Sequence, residues 1–294
     1  MNLIGLTETH LADMELISRG KVRDIYELDN YLLIVASDRI SAFDVIMPNP
    51  IPDKGRILTR MSVFWFDKMK DIVDNHLVET DTTRLPAACK PYAEILAGRT
   101  MLVKKARQLP VECIIRGYLS GSAWKDYRQG MPVSGIRLPD GLKESAQLSE
   151  PIFTPSTKAD VGDHDVPISR REMETIIGRE LTEAIIDISM NIYERASHIA
   201  DQAGIIIADT KLEFGIIDDR LILIDELLTP DSSRFWPKED YEEGRSQKSY
   251  DKQYLRDYLL SIDWDQHPPA PNLPDDVILK TKEKYEEALK RLLK

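Results

Sequence analysis

The strongest constraint on the fold is a pair of apolar, β-favouring runs late in the chain, GIIIADTKLEFGIIDDRLILIDELL (204–228), which turn at Asp218-Asp219-Arg220. Such runs on either side of a short polar turn predict an antiparallel hairpin. If the loop has three residues, Ile217 pairs with Leu221, and Glu213 then stands directly opposite Asp225. A loop of two residues would shift the register by one and put the two acids on opposite faces.

Opposed carboxylates need compensation, because directly paired residues have Cβ atoms about 5 Å apart and like charges there destabilise a sheet. The period of two along a strand also puts Asp209 and Lys211 on the face of Glu213. A shared proton or a cation would relieve the repulsion, and oxygen ligands without Cys or His suit Mg²⁺. The hairpin therefore predicts either a magnesium site at Glu213 and Asp225 or a solvated face on which Lys211 neutralises a neighbour.

The rest of the chain predicts an α+β fold with a strand-rich front. A capping box of Ser169 and Glu172 predicts the start of a long helix, and Gly204 is placed to end it. Residues 130–168 are rich in Pro, Gly, Ser and Asp and are interpreted as a long loop. The other predicted elements are strands at 20–28 and 31–37 around an Asp29-Asn30 turn, a helix at 56–72, strands at 101–106 and 111–116, a stiff linker at 267–274 and a terminal helix after it.

The charge balance limits the classes of molecule that this chain is expected to bind. The 294 residues carry 50 acidic and 39 basic side chains, a formal charge of −11, which argues against nucleic acid or an anionic membrane. We see no signal peptide, and the longest apolar runs are too short to span a bilayer. Cys89 and Cys113 are too few for a Cys-rich zinc site or a disulfide framework. We therefore expect a cytoplasmic protein that acts on small molecules.

Two further segments suit anion binding. In VECIIRGYLSGSAWKDY (111–127), a strand ends at Arg116 and a Gly-Ser loop opens a helix, which exposes backbone N–H groups to an anion. An ordinary strand-to-helix turn explains the same pattern. In TPDSSRFWP (229–237), Arg234 with Asp231, Ser232 and Ser233 predicts a second anion clamp, unless Asp231 only caps a turn.

Two more segments are interpreted chiefly as surface loops: SDRISAFDVIMPNPIPDKGR (37–56) and TPSTKADVGDHDVPIS (154–169). The second contains Lys158, Asp160, Asp163, His164 and Asp165, a weak metal-site pattern. The chain has no Walker A, G-x-G-x-x-G, G-x-S-x-G or H-E-x-x-H motif, which disfavours P-loop, Rossmann, serine-hydrolase and zincin chemistry. The chain does have basic residues near the first strand and a distant acidic hairpin. This combination suits the binding of nucleotide phosphates and Mg²⁺.

Six segments together, in order, resemble the SAICAR synthetase family: GKVRDIYE (20–27), SDRISAFDV (37–45), VECIIRGYLSGSAW (111–124), TPSTKADVGDHD (154–165), DTKLEFG (209–215) and DELLTPDSSRFW (225–236). The resemblance implies a two-lobed α+β fold related to protein kinases and ATP-grasp enzymes, with ATP in the cleft between the lobes. Residues 1–108 would form the strand-rich nucleotide-binding lobe. Residues 109–294 would form a mixed lobe with the metal site, the ribotide site and the C-terminal helix.

The resemblance also implies an activity. ATP would drive the ligation of carboxyaminoimidazole ribotide (CAIR) with L-aspartate to SAICAR, with release of ADP and phosphate, in de novo purine synthesis through an acyl phosphate. The chain is similar to the long, monofunctional form of the family, and a monomeric state is compatible with that form. The alternatives are a kinase-like phosphotransferase acting on a small molecule and a non-catalytic nucleotide-binding regulator.

Carried over by position, the resemblance implies Mg²⁺ at Glu213 and Asp225. The residues with implied catalytic roles are Lys211 and Asp209, facing the CAIR headgroup, and Lys158 and Asp165, bordering the reacting centre. Those implied to bind ATP are Lys21, Arg23, Lys104 and Glu112, with the adenine against residues 102–112. Those implied to bind CAIR are Arg116, Ser122, Ser233 and Arg234. Those implied to bind or close over aspartate are Ser37, Asp38, Arg39, Ser41 and Asp44.

Overall fold

The computed structural model describes residues 3–158, 165–250 and 252–294. In chain order its strands are β1 (Leu16–Arg19), β2 (Arg23–Leu28), β3 (Tyr31–Ala36), β4 (Ser41–Ala42), β5 (Val45–Ile46), β6 (Leu77–Glu79), β7 (Thr100–Lys104), β8 (Arg107–Gln108), β9 (Val111–Tyr118), β10 (Gln147–Phe153), β11 (Ser156–Thr157), β12 (Ile205–Ile217), β13 (Arg220–Ile224) and β14 (Ser233–Pro237). The α-helices are α1 (Lys54–Met69), α2 (Ala93–Leu96), α3 (Gly121–Arg128), α4 (Arg170–Ile177), α5 (Arg179–Gln202), α6 (Gln253–Ser261) and α7 (Asp275–Leu292). Short 3₁₀ turns cover Ala87–Tyr92 and Lys238–Asp240. The mixture confirms the predicted α+β class.

The strands form two main sheets and a short ribbon of β4 with β5. The front sheet has the order β1-β2-β3-β7-β6, and the back sheet the order β10-β9-β12-β13, with β8, β11 and β14 added at its sides. Strand β12 is central because it is long enough to serve two sets of neighbours. Its first half lies between β9 and β14, and its second half between β13 and β8.

One apolar core joins the two sheets. Ile34 and Val103 of the front sheet belong to the same buried cluster as Ile115 and Phe214 of the back sheet. Trp65 of α1 is fully buried in that cluster. Helix α5 packs on β12 and β9, and its Ile185 and Ile192 belong to the same cluster. Residues contributed by both sheets are therefore held at a fixed distance by shared packing.

Most predicted elements are present, but the predicted loop and the predicted long helix are wrong in detail. The segment 130–168 is not a plain loop, because β10 and β11 pair with β9 there; β10 contains Pro151 and lacks apolar alternation. The long helix is broken at Gly178, whose φ of 88° cannot continue a helix. The capping box at Ser169 is confirmed. Helix α6 was not predicted.

No helix in the described ranges is long and apolar enough to cross a membrane.

The register of the second hairpin differs from the expected one. Ile217 pairs with Arg220, so the loop is Asp218-Asp219, and Glu213 faces Ile224 rather than Asp225. Both loop residues have positive φ, 49° and 60°, as a type I′ turn requires. The twist of the flanking strands favours this two-residue turn, and the predicted three-residue loop is wrong.

The left-handed backbone at Asp219 generates a stability prediction. Asp219→Gly should raise the free energy of unfolding by about 1 kcal/mol, because glycine adopts positive φ without steric cost. Asp219→Val should lower it by about 1–2 kcal/mol, since a β-branched residue is strained there. Urea denaturation measures the free energy of unfolding of both variants. Equal midpoints for the glycine and valine variants would contradict the turn geometry.

Candidate active site

A row of charged side chains crosses one face of the back sheet. Asp209 of β12 lies opposite Arg116 of β9 on one side and opposite Arg234 of β14 on the other. Two and four residues further along β12, Lys211 and Glu213 share this face because strand side chains alternate. The charged residues on this face are Glu112, Arg116, Asp209, Lys211, Glu213 and Arg234. Most of them are buried, so each charge needs a partner.

Lys211 is the centre of the first group. Its Nζ donates to Oε1 of Glu112 at 2.5 Å and to Oε1 of Glu213 at 2.7 Å. Burial alone would lower the pKa of Lys211, but Glu213 and Glu112 outweigh it and raise the pKa, so the ammonium stays charged. Lys158 and Gln108 both donate to Oε2 of Glu213, Gln108 at 2.8 Å. Glu213 is therefore held ionised among three donors.

Asp225 joins this group from just beyond β13. Its φ of 64° turns the chain out of the strand, so strict alternation does not carry its side chain to the far face. Burial and the charge of Asp225 oppose the ionisation of Glu213. Burial also opposes the ionisation of Asp225, yet the pKa of Asp225 is lowered because Arg23, Lys211 and Lys158 surround it. The two acids thus belong to one electrostatic group, although the strand pairing expected for them is wrong.

Arg23 connects the two sheets at this point. From β2 of the front sheet, its guanidinium forms ion pairs with Asp225 and, at 2.6 Å, with Glu226. Burial disfavours the charged form, but the two acids raise the pKa of Arg23. His76 Nε2 donates to the carbonyl of Asp225 at 3.2 Å, and burial lowers the pKa of His76 to about 4, which keeps its ring neutral.

Asp209 is the centre of the second group. Arg116 Nη1 donates to Oδ2 of Asp209 at 3.1 Å, and Arg234 donates to the same oxygen. Arg116 also donates from Nε to Thr154 at 2.9 Å and from Nη2 to Ser122 at 3.2 Å. Burial and the nearby Arg234 lower the pKa of Arg116, against the pull of Asp209. Two guanidinium groups on one carboxylate leave a net positive charge here.

A glycine allows the approach of Arg234. Gly121 has a φ of 58°, and a Cβ built on it would lie 2.3 Å from Nη2 of Arg234. Arg234 also lines a depression of about 220 Å³ beside Ser120, where α3 begins. The open N–H groups of a helix start and a guanidinium are both suited to an anion. The two anion-clamp segments predicted from the sequence thus meet at one place.

Some predicted site residues lie inside the fold rather than in this row. Asp38 is 1% exposed, and its oxygens accept from Arg99, from Gly55 N and from Leu6 N. Arg39 donates to Asp24 at 2.7 Å and to the carbonyl of Gly20 at 2.9 Å. Ser37 and Ser41 are also buried, the former donating to Val22 O at 2.8 Å. Ser233 is buried against Thr210, with hydroxyls 2.8 Å apart.

Other predicted residues lie at the margins. Lys21 and Asp44 form an exposed ion pair beside β2. Lys104 lines a separate depression of about 250 Å³ with Asp74 and Asp218, and the structure does not bring it to the charged row. Burial is the main cause of the raised pKa of Glu112, and the charge of Asp165 adds to it, so Asp165 lies near that carboxyl. Asp160, Asp163 and His164 lie outside the described residues.

Sequence reasoning missed three residues of the site. Gln108 reaches Glu213 because β8 pairs with β12, and nothing in the local sequence signals that pairing. Glu226 lies in one of the six segments that resemble the family, but the sequence predicts no role for it. His76 showed no partner pattern in the sequence, and its contact is with a backbone carbonyl. Only Glu226 had an available signal, as a second acid directly after Asp225.

The acids do not form a complete metal cage. Among residues 3–158, 165–250 and 252–294, no set of three or more His, Cys, Asp and Glu side chains is arranged to hold a metal ion. Glu213 and Asp225 can supply two carboxylate groups. Three cations surround these acids, of which Glu213 is buried and Asp225 half-buried: Lys158, Lys211 and Arg23. They supply the counter-charge that the two neighbouring acids require.

Comparison with known proteins identifies the family. The model of the SAICAR synthetase family matches residues 16–271. The chain is 60% identical over 285 residues to the phosphoribosylaminoimidazole-succinocarboxamide synthase of Desulfosudis oleivorans, covering 97% of each chain. It is also 60% identical over 285 residues to that of Trichlorobacter lovleyi, covering 97% of this chain and 96% of the relative. The solved SAICAR synthase of Saccharomyces cerevisiae complexed with SAICAR superposes with a TM-score of 0.89 at 45% identity, covering 98% of this chain and 97% of that one. The chain belongs to the SAICAR synthetase family.

Proposed function

We propose a division of roles among the residues of the charged row for the reaction of this family, the ATP-dependent ligation of CAIR with L-aspartate to SAICAR in purine biosynthesis. A carboxylate does not acylate an amine at neutral pH, because its oxygen is a poor leaving group. Transfer of the γ-phosphoryl group to the CAIR carboxylate would make an acyl phosphate. The amine of aspartate would then attack the acyl carbon and expel phosphate.

The observation that carries this proposal is the position of the charged row. It places the Lys211–Glu213–Asp225 group next to the Arg116–Asp209–Arg234 group on adjacent strands of one sheet. The first group suits a polyphosphate with its cation, and the second suits a monophosphate. The γ-phosphoryl group of ATP and a ribotide would therefore be held side by side.

Glu213 and Asp225 fit a role as ligands of Mg²⁺. Mg²⁺ sites in ATP-using enzymes commonly take one or two carboxylates and complete the shell with substrate phosphates and water. Two acids held ionised, with no full cage around them among the described residues, match that donor set. When bound, the ion would neutralise charge on the transferring phosphoryl group.

We assign ATP to the cleft between the lobes formed by residues 1–108 and 109–294. The phosphates are assigned to Lys21 and Arg23, and the adenine to the chain around 102–112 with Lys104 and Glu112 nearby. Arg23 supports this placement, because it already reaches from the front sheet to Asp225 of the back sheet. Phosphates bound at Arg23 would lie next to the acids that hold the ion.

We assign the ribotide phosphate to Arg116, Ser122 and Arg234, with Ser233 holding the strand through Thr210. Lys211 and Asp209 would then face the CAIR headgroup. A permanently charged Lys211 can stabilise the negative charge that develops on the carboxylate and phosphoryl oxygens. Asp209 keeps both guanidinium groups at the position where the phosphate arrives.

Lys158 and Asp165 are assigned to the border of the reacting centre, beside Glu213 and Glu112. The segment that contains Ser37, Asp38, Arg39, Ser41 and Asp44 is assigned to the aspartate substrate. Because Asp38 and Arg39 are already bonded within the fold, their role would be to shape this segment rather than to contact the substrate.

We further propose that the protein works in the cytoplasm as a monomer. Two buried free thiols, Cys89 and Cys113, suit a reducing compartment, and ATP is available there.

The assay that tests the function supplies ATP, Mg²⁺, CAIR and aspartate and follows SAICAR by absorbance, with each component omitted in turn. A ligase forms product only with all of them. A kinase-like phosphotransferase would release ADP in stoichiometric amounts without aspartate and leave a stable phosphorylated product. That second pattern would reject the ligase in favour of the alternative.

Asp225→Asn should abolish turnover, with a loss of about 100-fold or more in kcat, because an amide replaces a charged metal ligand. The fold should persist, since Arg23 keeps its ion pair with Glu226 at 2.6 Å. Kinetics at saturating Mg²⁺ and a thermal melt measure the two effects. Asp74→Asn, which removes an exposed acid paired with Arg220, is the matched control and should keep full activity. Wild-type turnover by Asp225→Asn would refute the role.

Arg234→Ala should raise the KM for CAIR by about 10- to 100-fold and leave the KM for ATP nearly unchanged, because it removes one charged partner of the ribotide phosphate. Gly121→Ala should act in the same direction, since its Cβ would displace the guanidinium of Arg234. Steady-state kinetics with each substrate varied separates the two constants. Equal changes in both KM values would count against the assignment.

A further inference from the structure

A buried carboxylate outside the charged row is held by three side chains from distant parts of the chain. Asp231 Oδ2 accepts from Nζ of Lys54 at 2.7 Å and lies 3.4 Å from Nζ of Lys252. Its Oδ1 accepts from the hydroxyl of Tyr285 at 2.7 Å. The side chains of Lys54 and Asp231 are 0% and 3% exposed, and Tyr285 is also fully buried. The predicted place of Asp231 in an anion clamp does not fit this arrangement, because both of its oxygens bond inside the fold.

The three partners arrive from three elements. Lys54 is the first residue of α1, Lys252 directly precedes α6, and Tyr285 lies in the middle of α7. Asp231 itself lies in the connection between β13 and β14. The connection therefore has its midpoint fixed by helices that contribute no residue to the charged row.

The same connection carries a second buried polar link. Thr229 Oγ1 donates to Oε2 of Glu226 at 2.6 Å, and Glu226 pairs with Arg23. The hydroxyl of Thr229 also accepts from the backbone N–H of Asp231 at 3.2 Å, and its carbonyl accepts from Ser232 N at 3.1 Å. A continuous set of polar contacts thus runs from Arg23 to Tyr285 through one short segment.

That segment has a proposed site residue at each end. Asp225 begins it, and Arg234 lies three residues beyond Asp231. Lys211 N donates to the carbonyl of Ser232 at 2.8 Å, so the segment is also bonded to β12. A displacement of Asp231 would be transmitted through two residues to the guanidinium of Arg234, which has to lie on Asp209 and above Gly121.

A buried ion pair is weak evidence for stability, because desolvation cancels much of the attraction. Two lysines against one aspartate make this arrangement still more costly to bury. Its geometric effect is clearer, because two of the contacts are hydrogen bonds and the three partners come from three different parts of the chain.

We propose that Lys54, Lys252 and Tyr285 form a positioning network that acts through Asp231 to set Arg234 for the ribotide phosphate. The inference rests on the proposed function and extends it to residues that touch no substrate. It predicts that small changes in the network weaken the use of CAIR more than the use of ATP, because Arg234 is three residues from Asp231, whereas Arg23 is reached only through Thr229 and Glu226.

Tyr285→Phe is the sharpest variant, because it removes one hydroxyl and keeps the packed ring. We expect a rise of about fivefold in the KM for CAIR, with the KM for ATP and the melting temperature little changed. Lys252→Met should act in the same way, and Lys252→Arg should restore most of the loss. Thr281→Val is the control: Thr281 is buried on the same helix and bonds only to Val277 O among the contacts described for its side chain. It should leave both KM values as they are.

A double variant separates positioning from general damage. If the network acts through Arg234, Tyr285→Phe should have no further effect on the KM for CAIR once Arg234→Ala is present. Additive effects of the two changes would overturn the proposal, as would an equal rise in the KM for ATP and CAIR in Tyr285→Phe. If Arg234→Ala alone leaves CAIR use unchanged, the ribotide assignment fails instead. If Arg234→Ala raises the KM for CAIR and Tyr285→Phe does not, only the network is rejected.

Discussion

Strand β12 carries an aspartate, a lysine and a glutamate on one face of a buried sheet, and their mutual neutralisation is the constraint on which the site depends. Removing such charges from water is costly unless each has a partner in contact. Neighbouring strands provide those partners: Glu112 and Arg116 from β9, and Arg234 from β14. Because the partners come from different strands, the charges act together only once the back sheet has formed.

The same requirement explains why the front sheet is part of the site. Asp225 and Glu226 are adjacent acids at the end of β13, and the back sheet alone does not neutralise both. Arg23 supplies the missing charge from β2, and the shared apolar core keeps the two sheets at the distance this contact needs. Packing and electrostatics therefore select the same relative position of the sheets.

Much of this could be predicted from the sequence, and what could not has definite physical causes. The hairpin around Asp29-Asn30, the capping box at Ser169 and the face shared by Lys211 and Glu213 follow from local periodicity and turn chemistry. The predicted pairing of Glu213 with Asp225 across the hairpin is wrong, because one residue of loop length decides the register. The left-handed backbone conformation of Asp225 then takes this residue out of the strand alternation. Gln108 and His76 reach the site through long-range pairing, which leaves no local pattern.

The contact between Tyr285 and Asp231 has a consequence for how the molecule is made. The two residues are 54 positions apart, and Lys54 lies 177 positions from Asp231 on the other side. During synthesis the back sheet can pair before α7 has left the ribosome, but Asp231 then lacks its hydroxyl donor. The pocket proposed for the ribotide would consequently be completed late, after its strands have already formed.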